Sequence, residues 1–156
     1  MPHADTTTPV RLESEIAAWQ ALLGTLRDEE QALVAGDGER VAQLTPLKLD
    51  RLNEVGTCVR ARQAAVAAAG HPGDAAGMAA WLGTDPRHKA QWQQLGELEA
   101  AARAANQRVG ALLDMRLGAT RQALNVLIHA ATRGNGLYDE SGLSVAARSG
   151  KPISAA

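Results

Sequence analysis

Residues 86–132, with the sequence PRHKAQWQQLGELEAAARAANQRVGALLDMRLGATRQALNVLIHAAT, carry the longest uninterrupted helical pattern in the chain. Apolar residues recur there at steps of three and four, which is the spacing of one face of an α-helix. The positions of this face are Trp92, Leu95, Leu98, Ala102, Ala105, Val109, Leu113, Leu117, Thr120, Leu124, Leu127 and Ala131. At 1.5 Å per residue, the helix would span roughly 70 Å.

Shorter helical patterns precede this segment. A first helix is predicted after Pro9 and ends at the glycine-containing turn 35–38. Thr45-Pro46 predicts a new helix start, because a threonine cap followed by proline at the first helical position begins many helices. That helix ends at residues 70–74, and residues 78–82 predict one or two further turns. Its predicted buried positions are Leu49, Leu52, Val55, Val59, Val66 and Ala69.

The predicted helices differ in length. The first helix could cover only about half of the long one. A bundle of unequal helices leaves part of the long helix uncovered, unless the tail or another protein lies on it. We expect the stretch around Leu117 to Ile128 to be exposed.

The composition favours helix over sheet. Hydrophobic residues make up 46% of the chain, but aromatic residues only 3%, and phenylalanine is absent. Alanine and leucine, which dominate such a composition, are good helix formers. The predicted fold is all-α: an elongated, antiparallel, coiled-coil-like helical bundle with one long C-terminal helix and a flexible C-terminal tail. The predicted domains are a helical domain, residues 1–132, and the tail, residues 133–156.

Residues 134–156, GNGLYDESGLSVAARSGKPISAA, depart from the helical pattern and contain the single tyrosine, Tyr138. Their scattered apolar residues bury too little area to order the segment alone. Two interpretations are open: a frayed terminus, or a peptide that a partner binds. Tyr138, with Leu137 and Leu143 near it, is the candidate anchor, since tyrosine is common at interfaces.

Charge and motifs restrict the chemistry. The net charge is −1 and the pI is about 6.4, which gives no reason to expect nucleic acid or an acidic membrane as partner. Residues 13–39 are mainly acidic and residues 103–133 mainly basic. These two helices either lie side by side or are separately solvated faces.

Catalytic motifs are lacking in the sequence. Cys58 is the only cysteine, the four histidines are scattered, and no nucleophile, phosphate loop or metal motif is recognisable. We therefore predict no enzyme activity, catalytic residue, metal, cofactor or small-molecule substrate. Neither a signal peptide nor a membrane span is predicted, which suggests a cytoplasmic protein without membrane insertion.

Two sets of residues resemble the FlgN family of flagellar type III export chaperones. The first is AGDGER at 35–40 followed by LTPLKLDRL at 44–52. The second, more specific set is Asn106, Leu112-Leu113, Gln122-Ala123-Leu124, Val126-Leu127, Leu137-Tyr138, Gly142, Ser144, Arg148, Gly150-Lys151 and Ile153-Ser154. The chain departs from the family pattern at Pro46, Pro152, Gly118 and Thr120.

The resemblance implies a cytosolic chaperone that binds the C-terminal helical segments of the hook-filament junction proteins FlgK and FlgL. It also implies that the chaperone prevents their premature assembly and delivers them to the cytoplasmic domain of the export gate protein FlhA. Tyr138 matches the family's gate-docking tyrosine.

The candidate sites follow from the exposed helix and the tail. We predict that the client binds to Leu113, Leu117, Leu124, Leu127 and Ile128. The export gate is predicted to contact Leu137, Tyr138 and Leu143. A structural coiled-coil adaptor or dimerisation module without an export client would share the same heptads, and it remains the alternative.

Overall fold

A computed structural model describes the backbone of residues 10–148 and the side chains of residues 10–133. This part of the chain is helical and contains no strand, so the predicted all-α bundle is confirmed. The helices are α1 (Glu13–Ala35), α2 (Gly38–Ala68), α3 (Ala75–Leu82) and α4 (Pro86–Arg148). The chain divides into two compact units, Met1–Leu113 and Asp114–Ala156. The division predicted between residues 132 and 133 stays a prediction.

A tight turn joins α1 to α2. Gly36 adopts a left-handed conformation with φ of 77°, which glycine tolerates because it has no Cβ. Asp37 then caps α2, since its Oδ1 accepts a hydrogen bond from the Arg40 backbone N–H at 2.9 Å. With only two residues between them, α1 and α2 run antiparallel.

Two buried ion pairs fix the alignment of α1 and α2. Arg62 donates to Glu15 through Nε at 2.8 Å, and Lys48 Nζ lies 2.9 Å from both carboxylate oxygens of Glu29. Both glutamates are buried, at 3% and 1% exposure. The pairs are two heptads apart on each helix, and Leu22 and Val55 occupy the corresponding positions between them. Sliding one helix along the other would leave buried charges without partners.

The apolar core of the first unit consists of two clusters, one beside α3 and one further along α1. Trp19 and Leu98 pack against both clusters and connect them. The cluster beside α3 is Leu12, Ile16, Val66, Met78, Trp81, Leu82 and Leu95. The other is Ala18, Leu22, Leu23, Leu26, Val55, Ala102 and Ala105. The buried half of α4 therefore belongs to the same core as α1 and α2.

The predicted helix start at Thr45-Pro46 is wrong, because α2 continues through it. A proline inside a helix costs about 3 kcal/mol, since it lacks an N–H and crowds the preceding turn. Tertiary contacts offset this cost on both sides of Pro46: Leu44 is fully buried, and Lys48 forms its ion pair with Glu29. The Thr45 hydroxyl donates to the Val41 carbonyl rather than capping a new helix.

The predicted buried seam of α2 is also only partly correct. Val55 and Val66 are buried as expected, but Leu49 and Leu52 are exposed, at 56% and 47%. The face that α2 turns towards α1 follows the ion-paired positions instead. Because charged residues occupy part of the contact face, the spacing of apolar residues alone does not reveal which residues of α2 face α1.

A short loop leads to α3, and the packing of this loop requires a glycine in the first turn of α3. A Cβ on Gly77 would overlap the backbone of Pro72, so the loop packs directly on the helix. The Asp74 carboxylate caps α3 by accepting from the Gly77 N–H at 2.7 Å. This arrangement holds Trp81, which is 4% exposed, against the core.

The backbone of α4 continues to Arg148, beyond Thr132 where the sequence pattern predicted its end. Gly134 and Gly136 each cost about 1 kcal/mol in a helix relative to alanine. Extending an existing helix avoids the nucleation step, and no proline lies between Pro86 and Pro152. Glycine therefore lowers the stability of this extension without ending it.

Removal of one buried carboxylate should destabilise the fold far more than removal of an exposed one. We expect Glu29→Ala to lower the free energy of unfolding by about 3 kcal/mol, because Lys48 would keep a mostly buried charge without a partner. Glu54→Ala is the matched control, since its pair with Arg51 is exposed and should contribute less than about 1 kcal/mol. Urea unfolding followed by circular dichroism measures both, and similar losses would contradict the assigned role of Glu29.

Candidate helix-binding site

Helix α1 lies parallel to the first part of α4 and covers it. Gln91 Nε2 donates to Glu13 at 3.0 Å near the start of both helices. Further along, Arg108 donates to Glu30 through Nε at 2.8 Å and Nη2 at 3.2 Å. In both contacts the partners are 78 residues apart in the sequence. With the same separation, Ala35, the last residue of α1, lies level with Leu113 of α4.

The pair between Arg108 and Glu30 confirms that the acidic first helix and the basic last helix lie side by side. The hydrogen bonds from Arg108 hold the pKa of the Glu30 carboxyl below its ordinary value. Each partner favours the charged form of the other, so the pair persists at neutral pH. Because both side chains have solvent access, its main effect is to select alignment rather than to add stability.

Exposure on α4 changes at the end of α1. Leu95, Ala102, Ala105 and Val109 are buried, whereas every residue from Leu113 to Arg133 is exposed. Within this exposed stretch, leucine and isoleucine form a band along one side of the helix, which we call the α4 stripe. The α4 stripe consists of Leu113 (40% exposed), Leu117 (50%), Leu124 (55%), Leu127 (66%) and Ile128 (54%).

The α4 stripe continues the apolar face of the buried part of the helix, but three successive steps of four residues, from Ala105 to Leu117, replace the heptad spacing where the two parts meet. Thr120 and Ala131 complete its alternating steps of four and three residues, so its members share one face. These are the same residues that the sequence analysis assigned to the client. Isolated exposed leucines are ordinary, but an aligned set on one face marks an interaction surface.

The reverse side of the same segment carries a second, smaller apolar pair. Met115 and Val126 are exposed at 70% and 62%, and they lie about half a turn away from the α4 stripe. Neither residue was predicted to contact the client, because neither continues the apolar spacing of the stripe. They provide controls of the same chemistry on the opposite side of the helix.

Basic side chains border the α4 stripe. Arg121 lies between Leu117 and Leu124 on one flank, and Arg116 lies on the other flank. The segment from Leu113 to Arg133 has three arginines, Arg116, Arg121 and Arg133, and one acidic residue, Asp114. Arg121 forms no ion pair with the described part of the chain. Its surroundings therefore have a net positive charge.

The glycine in the α4 stripe weakens the helix locally. A Cβ at Gly118 would meet no neighbouring atom within 4 Å, so no packing contact requires glycine there. Glycine lowers helix stability by about 1 kcal/mol relative to alanine. The stripe is thus built on a helix that binding could stabilise further.

The predicted gate-binding residues Leu137, Tyr138 and Leu143 belong to the helical backbone of α4. Their side chains lie outside the part that the structure describes. Their role stays a prediction.

Other polar groups are engaged in structural contacts. Arg62 lines a cavity of about 300 Å³ with His71 and Asp74, but it already pairs with Glu15 and stacks over Trp92 at 4.9 Å. His88 contacts the Leu82 carbonyl at 3.2 Å, at the start of α4. Among the described residues, no group of three or more histidine, cysteine or acidic side chains is placed to hold a metal ion.

The fold and the exposed stripe define a class: an all-helical protein with an exposed apolar face on one long helix. The family described as FlgN protein matches residues 8–145, and the chain belongs to this family. The resemblance inferred from the sequence is thereby confirmed, and the protein is a flagellar export chaperone in the general sense of its family. Comparisons with curated proteins and with solved structures gave no match. In the described part, none of the helices is sufficiently long and apolar to span a membrane.

Polar substitutions in the α4 stripe should leave the bundle stable. We expect Leu124→Gln to change the free energy of unfolding by less than about 0.5 kcal/mol, because the side chain is exposed and glutamine keeps a high helix propensity. Leu22→Ala, at 2% exposure, should cost about 2–5 kcal/mol. Chemical denaturation compares the two variants, and a large loss for Leu124→Gln would mean that the stripe is buried in solution.

Proposed function

We propose that the α4 stripe binds the C-terminal helical segments of the hook-filament junction proteins FlgK and FlgL in the cytoplasm. Bound in this way, the segments are kept from premature assembly until the chaperone delivers them to the export gate protein FlhA. One observation carries this proposal: the leucine face of α4 continues past the end of α1 and is exposed from Leu113 to Ile128.

Burial of the α4 stripe supplies a driving force for binding. A leucine side chain contributes about 1.5–3 kcal/mol when it moves from water to a buried site. The side chains of the stripe are only about half exposed before binding. Each therefore contributes only part of that range when a partner buries it. An amphipathic helix laid along the stripe would bury several such side chains at once.

Reversibility follows from the same surface. Export requires release of the client, so very tight binding would be a disadvantage. Gly118 and the exposed position of the helix mean that part of the binding free energy goes into stabilising α4 itself. This cost lowers the net affinity without removing a contact.

The export gate is proposed to bind a separate segment. Tyr138 has the amphipathic ring that is common in protein interfaces, and Leu137 and Leu143 are its apolar neighbours in sequence. These residues lie on the C-terminal side of the α4 stripe, so one helix would serve client and gate in succession.

The α4 stripe can be tested against the opposite side of the same helix. We expect Leu117→Gln combined with Leu124→Gln to weaken binding of the FlgK and FlgL C-terminal segments at least tenfold, because two central contacts are lost. Met115→Gln combined with Val126→Gln makes the same chemical change on the reverse side and should leave the affinity within about twofold. Isothermal titration calorimetry on the full chain measures both.

Two results would contradict this assignment. Equal losses in the two double variants would remove the distinction between the faces of α4. If the unmodified chain formed a tight dimer through α4 and bound neither segment, it would act as the structural coiled-coil adaptor.

Replacing Tyr138 should separate gate binding from client binding. We expect Tyr138→Ala to weaken binding to the FlhA cytoplasmic domain at least tenfold, since a tyrosine anchor often dominates an interface, while client affinity is unchanged. A chain that stops after Arg133 should behave in the same way in co-purification with each partner. Loss of client binding in either variant would show that the two functions share one surface.

A further inference from the structure

We propose that the helix received by the α4 stripe has a net negative charge and places an acidic side chain opposite Arg121. This inference deepens the proposed function and rests on it in one respect, that the stripe receives a helix. It adds the chemistry by which a client would be distinguished from other amphipathic helices.

The chain itself shows what kind of helix covers α4. Over the buried half of α4 the cover is formed by α1 together with α2, and α1 has an apolar face towards the core and acidic residues beside it. Residues 13–35 contain five acidic side chains and one arginine, and two of these acids, Glu15 and Glu29, pair with α2. At the edge of the contact, Glu30 accepts two hydrogen bonds from Arg108. The cover therefore combines apolar burial with an acid-to-arginine contact at its border.

The pattern on α4 continues after the cover ends. Beyond Leu113 the helix again presents an apolar face, with Leu117 and Leu124, and Arg121 lies beside it on the flank opposite to that of Arg108. A helix laid along this stretch on the side of Arg121 therefore meets an apolar face bordered by arginine. An acidic flank would complement Arg121, whereas a basic flank would bring like charges together.

The charge of the exposed segment of α4, as well as its apolar face, indicates which kind of helix binds there. The segment from Leu113 to Arg133 carries three arginines against Asp114. All these charges lie within about one helix diameter of the stripe, a distance comparable to the screening length of about 8 Å at physiological salt. An incoming helix therefore responds to the net positive charge of the segment. A second copy of α4 would bring the same positive charge against it, which disfavours self-association through this face.

Two designed peptides isolate the charge effect from the identity of the client. Both have three heptads with leucine at every core position, and they differ only at the flanking positions, which are glutamate in one and lysine in the other. Two copies of the same peptide repel each other through their like-charged flanking residues, which limits homodimer formation. Fluorescence anisotropy with the full chain then compares their affinities.

We expect the glutamate peptide to bind about tenfold more tightly than the lysine peptide, and this preference to shrink as salt is raised. Arg121→Glu should abolish most of the preference, and Arg121→Gln should reduce it by a smaller amount. Arg87→Glu is the matched control, because Arg87 is exposed on the first turn of α4, outside the stripe, and the charge change is the same. It should leave the preference unchanged.

The outcomes distinguish this inference from the proposed function. If the junction-protein segments bind but the two peptides bind equally, or the preference survives Arg121→Glu, the inference is overturned while client binding stands. If the glutamate peptide is preferred but neither junction segment binds, the inference holds and the proposed clients are wrong. A dimer that is dissociated by Leu117→Gln with Leu124→Gln, and that binds neither peptide, would overturn the inference in favour of a second copy as occupant.

Discussion

The length of α1 is the constraint on which the rest of the structure depends. Its constant alignment with α4, set by contacts at Glu13 and Glu30, means that its cover ends at Leu113. The leucine face of α4 does not end there, and its next residues are exposed. A surface of aligned leucines is unfavourable in water, which supports the proposal that a partner covers it.

Buried ion pairs fix the alignment of the two helices that cover α4. Glu15 with Arg62 and Glu29 with Lys48 align α1 with α2, and both carboxylates are almost completely buried. A shift of one helix along the other would break both pairs at once, at a cost of several kcal/mol. An all-apolar interface would tolerate such a shift more easily. These pairs thus give α1 and α2 a single alignment, and the contacts of Glu13 and Glu30 with α4 then place the end of the cover at Leu113.

The sequence predicted those features that follow from apolar periodicity. The spacing from Leu95 to Leu127 was sufficient to predict the long helix and its stripe, because each step of three or four keeps the same face. The difference in helix length then predicted which part would be exposed. The tail residues matched the family pattern and led to the correct family.

Periodicity could not predict features that depend on tertiary contacts. Pro46 was assigned to a helix start because its local preference is clear, whereas the structure places it inside α2 next to buried Leu44. Lys48 and Arg62 were missed as contact residues, since charged side chains are normally assigned to the surface. Leu49 and Leu52 were assigned to the core for the opposite reason. Arg121 was noted only as part of a basic stretch, and its place beside the stripe required the helix geometry.

Hydrogen exchange of the full chain with and without the FlgK and FlgL C-terminal segments tests the central claim most directly. Amides of an uncovered helix exchange through local opening, and a bound partner helix suppresses that opening. We predict that bound client slows exchange most between residues 113 and 131, with little change in α2. Protection confined to α1, α2 or α3 when client is bound would contradict the account, because the client would then occupy a different surface.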